Sequence, residues 1–443
     1  MRKQLRPNEE IREITVFTRL SGKKVVALAT AVAFAATLAA CSSPAPEEET
    51  GPIELRMTWW GADARHELTN KALDLFEEQN EGITVVRDFG GFDGYLDKVI
   101  TQYAGKNSPD VIQLYNEVLV EFAGRGQVYD LNQAVEAGTL SLEGWPEDLV
   151  ATNTIDGALS ALPFGLSTHG FIFDEAKSAE LGVELPGDDY TWADLASYGA
   201  EIRAASGGAV AGVTDLSHSY QVFEVWAKQN GQEFLNADGI GFDEDTLVDF
   251  WSYWADMRES GAATAPDVST EYLGTPYDAV VAGVATSTFL FVNQYAGVQA
   301  TTPNALALTR MPSESDDPGQ YLRTAMNLVV SSQSKHPEAA AKLVDFLLNN
   351  EEANAILGID RGVPANGDVV TAATGGVDVV VAKALGIIES VRESGSTAPV
   401  PAPIGSGTVN TIFAEFAQQV QFGRLSVEDS AAQFLAQAAS ELG

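Results

Sequence analysis

Cysteine is nearly absent: Cys41 stands alone among 443 residues. One thiol can neither close an intrachain disulfide nor build a cysteine-rich metal site. Histidine is almost as scarce. His66, His169, His218 and His336 are the four, and none has a partner at metal-ligand spacing, so no metal is expected. Positive charge is short as well, 26 Lys and Arg against 62 Asp and Glu, for a formal net charge of −36. Residues 1–40 carry seven basic and three acidic side chains, which leaves 19 against 59, or −40, for the remainder. A surface of that sign repels nucleic acid and anionic lipid headgroups and argues against both as partners. The chain has no Gly-x-Ser-x-Gly elbow, no Gly-x-x-x-x-Gly-Lys phosphate loop, no dinucleotide fingerprint after a strand and no His-Glu-x-x-His pair. The hydrolase, nucleotide and metalloprotease chemistries that those motifs serve lose their sequence basis. The apolar run Val25 to Ala40 is too short and too alanine-rich for a good membrane span.

What remains is an ordinary globular composition, 45% hydrophobic and 20% charged, with room for two or three domains. Arg19, Lys23 and Lys24 ahead of Val25 to Ala40 mark a targeting segment. It ends Leu38-Ala39-Ala40-Cys41 and is followed by Ser42-Ser43-Pro44-Ala45-Pro46 and three glutamates. Small residues before a lone cysteine and a polar tether after it resemble a bacterial lipoprotein signal. That resemblance implies cleavage before Cys41 and lipidation of Cys41; a generic signal peptide cut near the same place is the alternative. Residues 1–40 are thus expected to be removed. Residues 41–52 would form a lipidated, flexible leash on the outer face of the cytoplasmic membrane.

The pattern is clearest from Ile53 to Asp130. Leu55-Arg56-Met57-Thr58-Trp59-Trp60 is a β-prone run stopping at Gly61, and Leu68, Ala72, Leu75 and Phe76 then recur at helical spacing. Asn80-Glu81-Gly82 ends that helix and Ile83-Thr84-Val85-Val86 begins a second strand, completing a βαβ unit. A helix over Tyr95 to Tyr103 and a strand after Ser108-Pro109-Asp110 follow. Ligands of parallel sheets sit beyond the carboxyl ends of the strands, so the two tryptophans lie where a flat platform is useful. Strand alternation sends Trp59 and Trp60 to opposite faces, and one of them is expected to be open to ligand.

Trp59-Trp60-Gly61, Leu75-Phe76-Glu77 with Gly82-Ile83-Thr84-Val85, Gln102 to Gly105, Pro109-Asp110-Val111-Ile112, Gly126-Gln127-Val128 and Asp130-Leu131 occur in an order that resembles a known family. It is the extracellular solute-binding proteins of ABC importers, in the carbohydrate-binding branch (family 1, maltodextrin-binding-like). Further on, Leu162-Pro163, the polar triplet Ser167-Thr168-His169, the strand Gly170 to Asp174 and Thr191-Trp192-Ala193-Asp194-Leu195 are similar to that family's central signature. The resemblance implies an α/β fold of two lobes, of the type II periplasmic-binding-protein kind, each a mixed sheet flanked by helices and joined by a hinge. Lobe one would take residues 53–165 plus about 325–375, and lobe two 166–324 plus about 376–443.

It also implies the site. From lobe one come Trp59, Trp60, Asp63 and Arg65 at the first strand end, then Phe92 and Asp93, then Asn116 and Glu117. Lobe two adds Thr168 and His169 at the hinge facing the cleft, Tyr220 with His218 beside it, and Phe289 with Phe291 and Asn293 matching an aromatic contact that is usually a tryptophan. Arg361 lies in an Arg-Gly-x-Pro loop that in relatives can reach the cleft; a structural turn is the other reading. Arg65 would suit a carboxylate if the cargo were an acidic sugar, with a surface ion pair as the other reading. Asn236-Ala237-Asp238-Gly239 looks like a calcium loop only until its twelfth position, which is Leu247; it reads as a turn.

The implied function is capture of a mono- or oligosaccharide and its delivery to permease subunits, by a monomer with no cofactor and no catalytic role. A tethered glycosidase or lyase, a sensor or adhesion lipoprotein, and a same-fold binder of a peptide, polyamine or phosphodiester are the other readings. No pair among 62 acids is singled out for glycoside hydrolysis.

Overall fold

The computed structural model describes residues 51–443 apart from 237, 315–317, 376–378, 395–402 and 404, and does not describe the side chains of 117 and 148. The expected signal segment, Cys41 and most of the expected tether lie outside the described residues, as does most of the Pro/Gly/Ser-rich stretch before the last two helices.

The predicted βαβ unit opens the first lobe. Strand β1 (Ile53–Trp60) leads through helix α1 (Asp63–Gln79) to β2 (Ile83–Gly90). Helix α2 (Tyr95–Ala104) then leads to β3 (Val111–Leu114) and α3 (Asn116–Gly124). The three strands are parallel, with Trp59 opposite Phe89 and Thr58 opposite Ile112. Helix α1 buries Thr69, Ala72, Leu73 and Phe76, one stripe at the helical period, with Leu68 and Leu75 half-buried beside it. A helix (Glu147–Thr152) runs through Ala151, from where the sequence reads as a loop, and a tight hairpin of β4 (Thr154–Ile155) and β5 (Ala158–Leu159) follows. Its turn residues Asp156 and Gly157 both have positive φ, 52° and 83°. That backbone matches the twist of paired strands, and an Asp-Gly dipeptide is suited to it.

Strand β6 (Leu162–Ser167) closes the lobe's edge, and after one residue, Thr168, β7 (His169–Asp174) starts the second lobe. Helices and a small ribbon of β8 (Leu235–Asn236) and β9 (Gly239–Ile240) intervene before β10 (Ser287–Phe291) and β11 (Leu306–Thr309). The second sheet has the order β10-β7-β11, all antiparallel, with Phe289 opposite Phe171 and Phe291 opposite His169. Strand β12 (Arg323–Val330) returns to the first sheet between β3 and β6, giving the order β2-β1-β3-β12-β6.

The apolar interior divides accordingly. Trp59, Phe76, Val111, Leu328, Leu343 and Leu347 belong to one core; Phe171, Phe223, Phe250, Trp251, Trp254 and Phe413 belong to another. Helix Pro337–Asn349 contributes the stripe that its periodicity predicts, and the last helices, Ser406–Gln421 and Val427–Leu442, close the second lobe. Thr191 caps helix Trp192–Ala205 in a reciprocal capping box with Asp194.

Three segments lie side by side where the chain passes between the sheets. Ser167 pairs with Arg323, while Leu166 exchanges backbone hydrogen bonds of 2.7 and 2.9 Å with Val363. Thr168 donates its hydroxyl to the Tyr321 carbonyl at 2.9 Å. Gly362 has φ +113°, and a Cβ there would sit 2.2 Å from the Leu166 carbonyl oxygen, so this close approach needs glycine.

Candidate functional site

Both tryptophans of β1 are buried, Trp59 fully and Trp60 to 9% exposure, which corrects the expectation that one would be open. Alternation holds: they go to opposite faces. Trp59 packs on Phe89 (4.9 Å between centroids) and donates Nε1–H to His66 Nδ1 at 3.1 Å. Trp60 packs on Tyr95 at 5.0 Å and on Phe92 at 5.7 Å. An inner parallel strand is covered on both faces, so neither side of β1 is left for solvent. Trp60 instead supports Phe92, which projects from the loop after β2 and is 58% exposed.

Two arginines expected at the cleft are committed elsewhere. Arg65 donates Nε–H to the Asp360 carboxylate at 2.5 Å and Nη2–H to the Asp360 carbonyl at 2.9 Å. It is not available as a clamp for a ligand carboxylate. Arg361 is 3% exposed; its Nε donates to Gln113 Oε1 at 3.0 Å and Nη2 to Thr69 Oγ1 at 2.7 Å. Burial, with the Arg65 charge added, brings its pKa down to about 9. Arg361 is therefore an internal strut of the first lobe.

The hinge pair is also corrected. Thr168 and His169 are fully buried. With one residue between β6 and β7, their side chains are held among the strands rather than turned to the cleft. The His169 ring lies 5.8 Å from Phe289, 5.5 Å from Phe291 and 5.1 Å from Tyr321. Its Nε2 is 4.0 Å from a Glu224 carboxylate oxygen, and among the described residues neither ring nitrogen has a hydrogen-bond partner. Burial, then the Arg323 and Lys228 charges, hold its pKa well below the usual value, so the ring is neutral.

Other predicted residues do converge. A cavity of about 640 Å³ opens between the lobes, with Phe92 on one side and Tyr220 and Phe289 on the other. His218, Phe291 and Tyr277 join the same wall. Tyr220 is stacked on Phe234 at 5.6 Å, which fixes its ring; the Arg323 guanidinium lies 4.2 Å over Phe291. Asp63, Asp93 and Asn116 are exposed and do not line this cavity. Asn116 Oδ1 accepts from Asn327 Nδ2 at 3.3 Å. The Glu117 side chain lies outside the described residues. Asn293 is tied to Ser167, accepting its hydroxyl at 2.7 Å.

Sequence reasoning did not find Gln221, Gln294, Asn410 and Thr411, all on the wall. Asn410 and Thr411 sit in the first turns of helix Ser406–Gln421, where polar side chains read as solvent-facing. Among the described residues, no group of three or more His, Cys, Asp or Glu could hold a metal ion. The wall offers flat rings, amides and hydroxyls, an arrangement for binding polar-and-flat molecules.

The profile of the bacterial extracellular solute-binding proteins matches residues 71–382, most of the chain. The chain belongs to that family. Such a protein acts outside the cytoplasm, and the family is one of binding proteins. An Escherichia coli (strain K12) protein named as an ABC transporter periplasmic-binding protein, YcjN, is 24% identical over 335 residues, 73% of this chain and 75% of its own length. A family 1 extracellular solute-binding protein from Alicyclobacillus acidocaldarius is 28% identical with a TM-score of 0.66, covering 89% of this chain and 100% of its own. A periplasmic oligogalacturonide-binding protein from Yersinia enterocolitica, solved with saturated digalacturonic acid, has a TM-score of 0.76 at 24% identity over 88% of this chain and 100% of its own. The likeness of fold bears out the two-lobed α/β architecture of this solute-binding protein.

Proposed function

We propose that this solute-binding protein captures a carbohydrate between its two lobes and hands it, unchanged, to the permease subunits of an ABC importer. The observation that carries the reading is the facing of Phe92 from lobe one with Tyr220, Tyr277, Phe289 and Phe291 across one cavity. Sugar rings have an apolar face of axial C–H bonds and a rim of hydroxyls. Aromatic faces take the first, and Gln221, Gln294, Asn410 and Thr411 take the second. A cavity of about 640 Å³ is of the size that encloses a drug-sized ligand, roughly 300–1,000 Å³, and so holds a short oligosaccharide. The structural relative from Yersinia enterocolitica, which binds an oligogalacturonide, supports the same ligand class.

Binding acts by shifting an equilibrium between open and closed lobes, since only the closed form brings Phe92 and the lobe-two wall onto one ligand. The three adjacent crossing segments are the hinge. We further propose that the protein is a monomer, that residues 1–40 are a signal peptide, and that Cys41 is lipidated and anchors it to the outer face of the membrane through a leash ending near residue 52.

The test is a thermal-shift screen of the purified protein against mono- and oligosaccharides, with amino acids, peptides and polyamines alongside. Ligand at about a hundred times its Kd stabilises by roughly 2.7 kcal/mol, a rise of a few degrees in Tm. A rise confined to one glycan series supports the reading; a rise only with amino acids, peptides or polyamines overturns it.

A further inference from the structure

We propose that the cleft is built for an electrically neutral glycan and discriminates against uronic acids, a specificity that rests on the carbohydrate reading above. None of the seventeen described residues lining the cavity is Asp, Glu, Lys or Arg. Charged residues make up 20% of the chain, so seventeen positions would hold about three by composition alone. The wall has been kept clear of charge in a protein that is otherwise crowded with it.

The arginines that could have answered a carboxylate are engaged. Arg65 is held by Asp360, Arg361 is buried on Gln113 and Thr69, and Arg323 stacks on Phe291. Arg323 does not itself line the cavity, so a carboxylate enclosed here would give up its hydration with no charged side chain on the wall in return, and isolated buried ions are strongly disfavoured. The net charge of −40 over residues 41–443 adds long-range repulsion against any anionic sugar.

The polar side chains of the wall point the same way. Gln221, Gln294, Asn410 and Thr411 bring amides and hydroxyls, which both donate and accept, and a neutral hydroxyl does the same, whereas a carboxylate only accepts. A quaternary ammonium would be content with the aromatic faces, but it makes no use of this row of amides and hydroxyls. Neutral hydroxylated rings use both halves of the wall.

The experiment is a calorimetric titration of the purified protein with neutral gluco-, galacto-, xylo- and manno-oligosaccharides. Glucuronate and galacturonate oligomers, the methyl esters of the latter, choline and spermidine complete the panel, at low and high salt. One neutral series is expected to bind, its uronate counterpart at least a hundredfold more weakly, with affinity for the neutral ligand independent of salt. Thr411→Lys, which sets a cation at an exposed position of the wall, is expected to raise uronate affinity at least tenfold. Uronates binding as tightly as neutral sugars in the parent protein, or a Thr411→Lys variant that gains no uronate affinity, would overturn the neutral specificity and leave the carbohydrate reading standing. Binding of choline or spermidine alone, or silence across the panel, would overturn both.

Discussion

Arg65 and Asp360 are joined by two hydrogen bonds, side chain to side chain at 2.5 Å and side chain to backbone at 2.9 Å, across 295 residues of sequence. The pair ties the start of α1 to the segment that runs on through Arg361 and Gly362 to the hinge. Both side chains are largely buried, at 13% and 29% exposure, so the pair is screened less than a surface bridge. Asp360→Ala leaves the guanidinium without its carboxylate, and about 1–3 kcal/mol of stability should go with it. Urea unfolding measures the loss. Affinity for the sugar should move little, because Arg65 does not reach it.

Phe92→Ala should do the reverse. The ring is 58% exposed in the ligand-free protein, so its removal leaves Tm close to that of the parent. When the lobes close on a ligand the ring is covered, and forfeiting that burial costs about 2 kcal/mol, or roughly thirtyfold in Kd. Calorimetric titration of both proteins with the same glycan checks the ratio.

Gly362→Ala should be among the most damaging single changes. Its φ of +113° is one that alanine resists, and the new Cβ would sit 2.2 Å from the Leu166 oxygen. Separating that backbone pair by an ångström or more breaks the two hydrogen bonds between Leu166 and Val363. A loss of about 3 kcal/mol or more is expected in chemical unfolding.

Stability should fall as the pH drops below about 6.5, where the histidine of an unfolded chain takes up a proton. His169 in the native protein resists protonation because of burial and the Arg323 and Lys228 charges; the Glu224 carboxylate at 4.0 Å from Nε2 does not reverse this. Its folded pKa is thus depressed. Its contribution to stability is fully present above the unfolded value and is lost progressively as the pH falls toward the folded one. The slope per histidine reaches at most about 1.4 kcal/mol per pH unit. His218 acts in the same direction. His169→Phe removes one titrating group, so the variant should lose less stability than the parent as the pH falls from 7.5 to 5; parallel curves would contradict the assignment.

Much of this fold could be read along the chain because its signals are local. The βαβ opening, the capping box at Thr191 and Asp194, and the stripe of helix Pro337–Asn349 each lie within one element or two neighbouring ones. Phe92 and Tyr220 were legible for a related reason, since they sit just after a strand and at a helix start, where clefts form; Phe289, in the middle of β10, was legible only through the family resemblance. Residues whose fate is set by distant partners were not. Arg65 meets Asp360 and Arg361 meets Gln113 and Thr69 only in the folded chain. Trp59 misled because alternation gives the two faces of a strand but not whether either is open. Asn410 and Gln294 carried no signal, since a polar residue on a cleft wall looks like any polar residue on a helix.

The central claim is that one sugar molecule is enclosed and released intact. Calorimetric titration with the best glycan of the thermal-shift screen, followed by mass spectrometry of the recovered ligand, tests it in one sample. The account predicts saturation at one glycan per chain and a recovered mass identical to that added. Saturable binding of a non-sugar alone, or a glycan returned as fragments, would contradict it.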